Sequence, residues 1–117
     1  MNSLAPSDTG KAVITFVQNE HDFGKVREGE KVGCIFTFQN TGTADLVITS
    51  AITSCGCTVP KYNAKPISPG ETGNLEVIFD TSGRFGIQTK TVTVKSNASA
   101  PVILLMIKAE VITSSNN

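Results

Sequence analysis

The chain has 117 residues, and its ten lysines and arginines balance its ten aspartates and glutamates, so its formal net charge is zero. This length corresponds to one domain whose core needs no disulfide or metal, and the balanced charge argues against a nucleic-acid partner, which a basic field would attract. The longest apolar run, Val102 to Ile107, is far shorter than the roughly 20 residues that cross a bilayer, so no membrane-spanning segment is expected.

Apolar and polar residues alternate along most of the chain. β-Branched residues and phenylalanines recur between clusters of Gly, Pro, Asn and Asp, which is the pattern of half-buried antiparallel strands, and no segment predicts a helix. The first strand is predicted at Lys11–Val17, and a short extended piece follows within residues 21–26. In the next strand, residues 31–40, alternate side chains share one face that we expect to line the core: Val32, Cys34, Phe36 and Phe38.

Turns and one long loop separate the later strands. We predict these strands at residues 46–53, 74–80, 87–97 and 101–112. Residues 61–73 hold two prolines and two glycines. Proline removes a ladder hydrogen bond, so this segment is predicted to be a loop that cannot join a central strand. The last strand is apolar on both faces, with Val102, Leu104 and Met106 on the face opposite the predicted core.

Strands of this number and spacing predict an all-β fold, an immunoglobulin-like antiparallel β-sandwich of seven or eight strands. A small barrel is the alternative architecture. We expect the sandwich to occupy residues 11–112, with a flexible N-terminal segment at residues 1–10 and a flexible tail at residues 113–117.

Five segments in order resemble one known family: HDFGKVREGE, FTFQNTGTADLVITS, TSCGCTVP, ISPGETGNLEVIFDTSGRFG and QTKTVTVKSN. Together they resemble a bacterial, Bacteroidetes-type family of exported immunoglobulin-like domains of unknown function, which is similar to the abnormal-spindle/hydin and major-sperm-protein sandwiches. The resemblance covers residues 21–111. It implies a seven- or eight-stranded sandwich and, for many members, a secretory or lipoprotein signal, but no catalytic residues.

The start of the chain does not read as such a signal, because it lacks both a basic segment and an apolar stretch. A periplasmic or cell-surface location is therefore expected from the resemblance alone. A lipid anchor is expected only if a leader has been removed.

The segment TSCGCTVP raises the main chemical question, because it sets Cys55 and Cys57 on either side of Gly56. In a flat strand, residues two apart point the same way but lie roughly 6.6 Å apart, too far for both sulfurs to bind one metal. A positive φ or a bulge at Gly56 would bring the sulfurs together. The structural alternative is that the cysteines are small hydrophobic residues at a strand end, with Gly56 forming the bend.

Three chemical alternatives remain for the cysteines. A structural zinc needs four ligands, whereas the chain has three cysteines and one histidine, His21, without the usual spacing. Copper(I) accepts two or three thiolates and would fit if the fold gathers Cys34, Cys55 and Cys57. Thiol exchange would need a nearby cation to stabilise a thiolate, and Lys61 is the only one close in sequence. No metal or other cofactor is expected.

Two other residues, His21 and Arg84, are considered as candidates for a catalytic or binding role. Every familiar catalytic triad or dyad would require His21, which no recognisable nucleophile motif accompanies, so no catalytic residue is assigned and no enzymatic activity is predicted. Arg84 lies at a predicted turn and is a candidate contact for an anionic ligand; the alternatives are pairing with a carboxylate or exposure to water.

The last strand is the candidate partner-binding strand. If the opposite sheet leaves Val102, Leu104 and Met106 uncovered, they form an exposed apolar stripe of the kind that contacts another chain, or the strand backbone accepts an added strand. The alternative is that a loop or the first strand covers them. The sequence therefore predicts a non-enzymatic module that binds an unidentified protein or has a structural role in the cell envelope, or alternatively a small Cu(I)-binding or thiol-redox protein.

Overall fold

The computed structural model describes residues 10–113, which form two packed β-sheets with no helix. The predicted flexible ends, residues 1–10 and 113–117, lie almost wholly outside the described residues. The strands are β1 (Ile14–Phe16), β2 (Glu20–Arg27), β3 (Lys31–Asn40), β4 (Ile48–Thr53), β5 (Thr58–Tyr62), β6 (Thr72–Asp80), β7 (Gly86–Ser96) and β8 (Val102–Ile112). Residues 10–113 contain no helix that would cross a bilayer.

The two sheets each have four strands. Sheet A has the order β1-β3-β6-β5, and sheet B has the order β2-β8-β7-β4. Two separate sheets with these connections confirm the sandwich and exclude the barrel. The antiparallel prediction is wrong for one pair, because β2 runs parallel to β8, with His21 opposite Ile107. The chain reaches this pairing by leaving sheet A after the short strand β1 and entering sheet B with β2.

The core lies between the inner faces of the sheets, where alternate residues of the central strands are buried. Sheet A contributes Phe36, Phe38, Leu75, Val77 and Phe79, and sheet B contributes Val92, Val94, Leu105, Ile107, Ala109 and Val111. Burial of one face per strand is the reason for the period-two pattern of the sequence. The predicted inward face of β3 is confirmed, although Val32 and Cys34 are only half-buried against this core.

One strand was not predicted. Residues 58–62 form β5, so the strand extends two residues into the predicted loop and includes Pro60 opposite Val77. β5 is the outer strand of sheet A, where a proline without an N–H group leaves no central ladder incomplete. The two prolines of the predicted loop, Pro66 and Pro69, lie between β5 and β6 and outside both strands, as predicted.

Candidate functional site

A disulfide joins Cys55 to Cys57 in the turn between β4 and β5. The two sulfurs are 2.06 Å apart and the two Cα atoms 5.2 Å apart. The Thr58 N–H donates to the Cys55 carbonyl oxygen at 3.2 Å, which closes the turn, and the Thr53 hydroxyl donates to the same oxygen at 2.8 Å. The backbone bend thus brings together two side chains that a flat strand would keep apart.

Gly56 does not supply this bend in the way the sequence predicted. Its φ is not positive, unlike that of Gly83 or Gly86, and a Cβ atom placed on Gly56 would contact nothing within 4 Å. A positive φ or a bulge at Gly56 was considered for bringing the sulfurs together, and the structure does not use the positive φ. An ordinary hydrogen-bonded turn, with Gly56 and Cys57 at its centre, is sufficient.

The disulfide constrains little besides this turn. It closes a loop from Cys55 to Cys57, and the chain-entropy model assigns such a short loop under about 2 kcal/mol of stability. Both of its ends lie on the same connection, so it links neither the two sheets nor two strands of one sheet. Its contribution to the fold is consequently small.

A second turn, between β6 and β7, positions Arg84 beside the disulfide. The fully buried Thr81 anchors this turn, because its hydroxyl donates to the Glu30 carbonyl oxygen at 2.7 Å. The Arg84 N–H donates to the Thr81 carbonyl oxygen at 3.0 Å, and Gly83 adopts the left-handed φ of +75° that the turn requires. The two turns also meet directly, since the Asp80 N–H donates to the Cys57 carbonyl oxygen at 2.8 Å.

The guanidinium of Arg84 contacts the disulfide itself. Its Nη2 lies 3.3 Å from Cys55 Sγ, and the Cys57 N–H lies 3.2 Å from the same sulfur. Within residues 10–113, the Arg84 side chain has no carboxylate partner. Arg84 is thus a half-buried cation directed at a sulfur atom, which is neither of the two alternatives that the sequence offered.

A groove of about 290 Å³ runs beside the disulfide on the outer face of sheet A. Cys57 and Gly56 form one end of the groove, and Cys55 does not line it. The other lining residues are Lys31, Val59, Lys61, Ile78 and Asp80. Hydrogen bonds from the backbone N–H and side chain of Ser82, together with Lys31, lower the pKa of Asp80, so the groove carries two cations and one carboxylate at neutral pH.

Sequence reasoning did not find this groove. Its members come from three strands and a turn that meet only through the register of sheet A, in which Lys31 is opposite Asp80 and Val59 is opposite Ile78. The contact between Arg84 and Cys55 joins residues 29 positions apart, and nothing in the local sequence signals it.

Cys34 lies apart from the disulfide, on β3, where it packs against the core. Burial raises the pKa of its thiol to about 11, which keeps it protonated at neutral pH. Between residues 10 and 113, no group of three His, Cys, Asp or Glu side chains is placed to hold a metal ion. The structure therefore does not gather the three cysteines around one point. His21, on β2, lies edge-on to the Phe23 ring, with the two ring centroids 4.6 Å apart.

The second candidate region is the outer face of sheet B. Val102, Leu104 and Met106 are 52%, 59% and 37% exposed, and no described loop covers them. Ile52, which is 51% exposed, extends this set, because Thr93 lies opposite both Ile52 on β4 and Leu104 on β8. We call Ile52, Val102, Leu104 and Met106 the apolar face.

One part of the prediction for β8 is wrong. β8 is a central strand that pairs with β2 on one side and β7 on the other, so its backbone cannot accept an added strand. Only its exposed side chains are available to a partner.

The comparisons with known proteins agree with this fold. The sequence model of DUF1573, described as a protein family of unknown function, matches residues 14–111. No curated protein matches the chain in sequence.

Several solved structures share the sandwich. A protein of unknown function from Porphyromonas gingivalis W83 has a TM-score of 0.76 at 20% identity, over 87% of this chain and 48% of that one. The secreted serine protease VesC from Vibrio cholerae has a TM-score of 0.67 at 12% identity, over 89% of this chain and 24% of that one. The ASH/PapD-like domain 7 of human CEP192 has a TM-score of 0.68 at 10% identity, over 97% of this chain and 92% of that one. The chain thus spans less than half of the first two proteins, and the three share its fold.

Proposed function

The chain belongs to the DUF1573 family, whose function is unknown, and we propose that it is a non-enzymatic module of the bacterial cell envelope that binds another protein through the apolar face of sheet B. The observation that supports this proposal is the exposure of four large apolar side chains on one patch of a folded sheet. Monomeric proteins scatter exposed apolar residues singly, and a contiguous group marks a contact with another chain.

The chemistry of the apolar face defines the partner. Its apolar side chains flank the half-buried Thr93, and Lys95 lies opposite Val102 at its margin. A partner that fits has an apolar patch with an acidic residue at its rim. Because β8 is paired on both sides, the partner contacts side chains rather than adding a strand.

Two observations support the envelope location. Disulfides persist in oxidising compartments such as the bacterial periplasm, and Cys55 and Cys57 form one here. One structural neighbour is by its description a secreted protein, and another comes from a Bacteroidetes organism, as the resemblance implied. Fractionation of cells that produce the native protein tests this part, and recovery of the protein in the cytosol would contradict it.

Site-specific photo-cross-linking tests the binding surface. A photoreactive residue at position 104 should give one discrete cross-linked species in cells, and the same residue at Thr89, exposed at the other end of sheet B, should give none. The species from position 104 should disappear when Ile52→Ser is added, because that change removes part of the apolar face. Identical patterns at positions 104 and 89 would contradict the proposal.

A second candidate function, thiol exchange, is favoured by the contact between Arg84 and the disulfide. The same disulfide argues against Cu(I) binding, since two bonded sulfurs offer no thiolate to the metal and Cys34 lies elsewhere. Counting free thiols in the native protein separates these two functions. A protein with the exchange disulfide intact shows one free thiol, that of Cys34, whereas a Cu(I) site would also show the free thiols of Cys55 and Cys57.

A further inference from the structure

We infer that the Cys55–Cys57 disulfide is a thiol-exchange site with a fixed direction, in which an incoming thiolate attacks Cys57 Sγ from the groove and Cys55 leaves as a thiolate beside Arg84. The inference rests on the second candidate function, thiol exchange, and is independent of the apolar face. Three observations support it: the unequal surroundings of the two sulfurs, the groove beside Cys57, and the hydrogen bonds that hold the turn.

The two sulfurs have different electrostatic surroundings. Cys55 Sγ has the Arg84 guanidinium at 3.3 Å and the Cys57 N–H at 3.2 Å, and both are hydrogen-bond donors. Among residues 10–113, the polar neighbour of Cys57 Sγ is the neutral hydroxyl of Thr58, at 3.6 Å. When the S–S bond breaks, a negative charge on Cys55 is stabilised by a cation and an amide dipole, whereas a charge on Cys57 is not. Because the more stable thiolate leaves faster, Cys55 is the leaving group.

Access favours attack at the other sulfur. Cys57 lines the groove on the outer face of sheet A, although its half-buried side chain also packs against the core, and Cys55 does not line the groove. Lys31 and Lys61, which also line it, attract an anionic nucleophile toward Cys57, and Gly56 leaves the end of the groove open because it has no side chain. The approach path and the stabilised leaving group therefore select the same direction of reaction.

The turn keeps its shape when the disulfide opens. Hydrogen bonds to the carbonyl oxygens of Cys55 and Cys57 come from the Thr58 and Asp80 N–H groups and the Thr53 hydroxyl, and none of them depends on the S–S bond. Cys55 consequently stays next to Arg84 and close to Cys57 after reduction. It is placed to attack a mixed disulfide on Cys57 and reverse the first step.

The exchange balances with a thiol as the only co-reactant. In the first step a thiolate sulfur bonds to Cys57 Sγ, the Cys55–Cys57 bond breaks, and its electron pair goes to Cys55 Sγ. In the second step a second thiolate of the reactant attacks the reactant sulfur that is bonded to Cys57. The bond between that sulfur and Cys57 Sγ breaks, and Cys57 leaves as a thiolate that takes a proton from water. The protein disulfide is reduced to two thiols, and the two reactant thiols are oxidised to a disulfide.

The groove defines the reactant as an anionic thiol. Two lysines against one aspartate favour a negatively charged neighbour beside the reacting sulfur, and Val59 and Ile78 offer apolar contact to a short segment. Glutathione and a protein cysteine with an adjacent acidic residue share this chemistry.

The test is to locate the mixed disulfide. Oxidised protein is mixed with limiting glutathione at pH 7, quenched with acid and examined by tandem mass spectrometry. We expect glutathione on Cys57, and glutathione on Cys55 or equally on both cysteines would overturn the inference. A disulfide that resists glutathione under conditions that reduce an unstructured peptide of residues 53–60 would also overturn it.

Arginine variants test the role of Arg84. The Arg84→Gln variant should react about tenfold more slowly and divide the adduct between the two cysteines, because the charge that stabilises the leaving thiolate is lost. The matched control is Arg27→Gln, which removes an exposed arginine whose side chain forms no hydrogen bond within residues 10–113, and it should change nothing. Unchanged rate and position in Arg84→Gln would overturn the inference, provided that circular dichroism shows the native fold.

Two cysteine peptides test whether the reactant is a protein thiol with an acidic neighbour or a small thiol such as glutathione. A cysteine peptide with aspartate beside the thiol should react faster than the same peptide with lysine, and Lys31→Gln together with Lys61→Gln should abolish the difference. Reaction of glutathione alone would restrict the reactant to small thiols, and equal rates for both peptides would overturn the groove as the path of approach. None of these measurements involves sheet B, so their failure would leave the proposed protein-binding face untouched, and failed cross-linking at position 104 would leave the exchange site untouched.

Discussion

The two outer faces of the sandwich differ although the two inner faces are alike. Both inner faces are apolar and closely packed. On its outer face, sheet A carries charged residues, a groove beside the disulfide and the exposed Ile35 and Val59, whereas sheet B has the larger uncovered apolar face. The core therefore explains only why the chain folds. The candidate functional sites lie where the outer faces differ from the polar surface expected of a sandwich. These sites are the disulfide beside Arg84 and the apolar face.

The largest expected effect separates the inner and outer faces of β8. Leu105 is fully buried, whereas its neighbour Leu104 is 59% exposed. We expect Leu105→Ala to lower the free energy of unfolding by about 2 to 5 kcal/mol, because it leaves a cavity. Leu104→Ala should change the free energy of unfolding by no more than about 0.5 kcal/mol. Urea unfolding measures both, and equal losses would contradict the assignment of the two faces.

A pair of glycines sharpens the contrast between the core and the groove. A Cβ atom on Gly73 would lie 2.5 Å from the Phe38 ring and 2.7 Å from Ile67 Cδ1, whereas one on Gly56 would contact nothing within 4 Å. Gly73→Ala should therefore cost about 1 to 3 kcal/mol by overpacking. Gly56→Ala should keep the stability but slow the reduction of the disulfide, because it narrows the groove. Thermal unfolding and glutathione kinetics check the two expectations, and destabilisation by Gly56→Ala would contradict the turn geometry.

A smaller effect is expected in the reactivity of the reduced protein. At pH 7, iodoacetamide should modify Cys55 faster than Cys57, and Arg84→Gln should slow the Cys55 reaction by about tenfold, because the thiolate loses its adjacent cation. Peptide mapping after timed quenching measures the rates. Faster modification of Cys57 would show that Arg84 does not set the order.

The smallest effect concerns Cys34, whose burial raises its pKa from 9.0 to about 11. Because the folded state disfavours the thiolate, the Cys34 contribution to the free energy of unfolding is fully present below pH 9. It decreases above pH 9, where the thiol ionises in the unfolded chain, and is lost as the pH rises through about 11. Cys34 should consequently react slowly with iodoacetamide at pH 8 and faster as the pH approaches 11. Modification of Cys34 in the native protein with a midpoint near pH 9 would contradict its burial.

The sequence predicted the features that depend on short-range periodicity. The limits of β3 and the burial of Phe36 and Phe38 follow from alternation, because one face of a strand must be buried. Alternation sets faces but not neighbours, so it could not reveal that β2 pairs with β8 in parallel. It also could not identify β5, where Pro60 is tolerated only because that strand is an edge.

The candidate site was predicted only in its parts. Cys55, Cys57 and Arg84 were each singled out for their chemistry, but the contact between Arg84 and Cys55 depends on where two turns meet after the sheets have packed. Lys61 was noted only as the cation nearest the cysteines in sequence, and Lys31 carried no signal, because only the register of sheet A brings the two lysines to one groove.

We infer that the disulfide is a reactive element of one face and does not support the fold. Backbone NMR spectra of the oxidised and the reduced protein distinguish these two roles. We predict chemical-shift changes confined to residues 53–61 and 80–85, with the signals of residues 102–106 unmoved. Changes throughout the core strands, or unfolding on reduction, would contradict it.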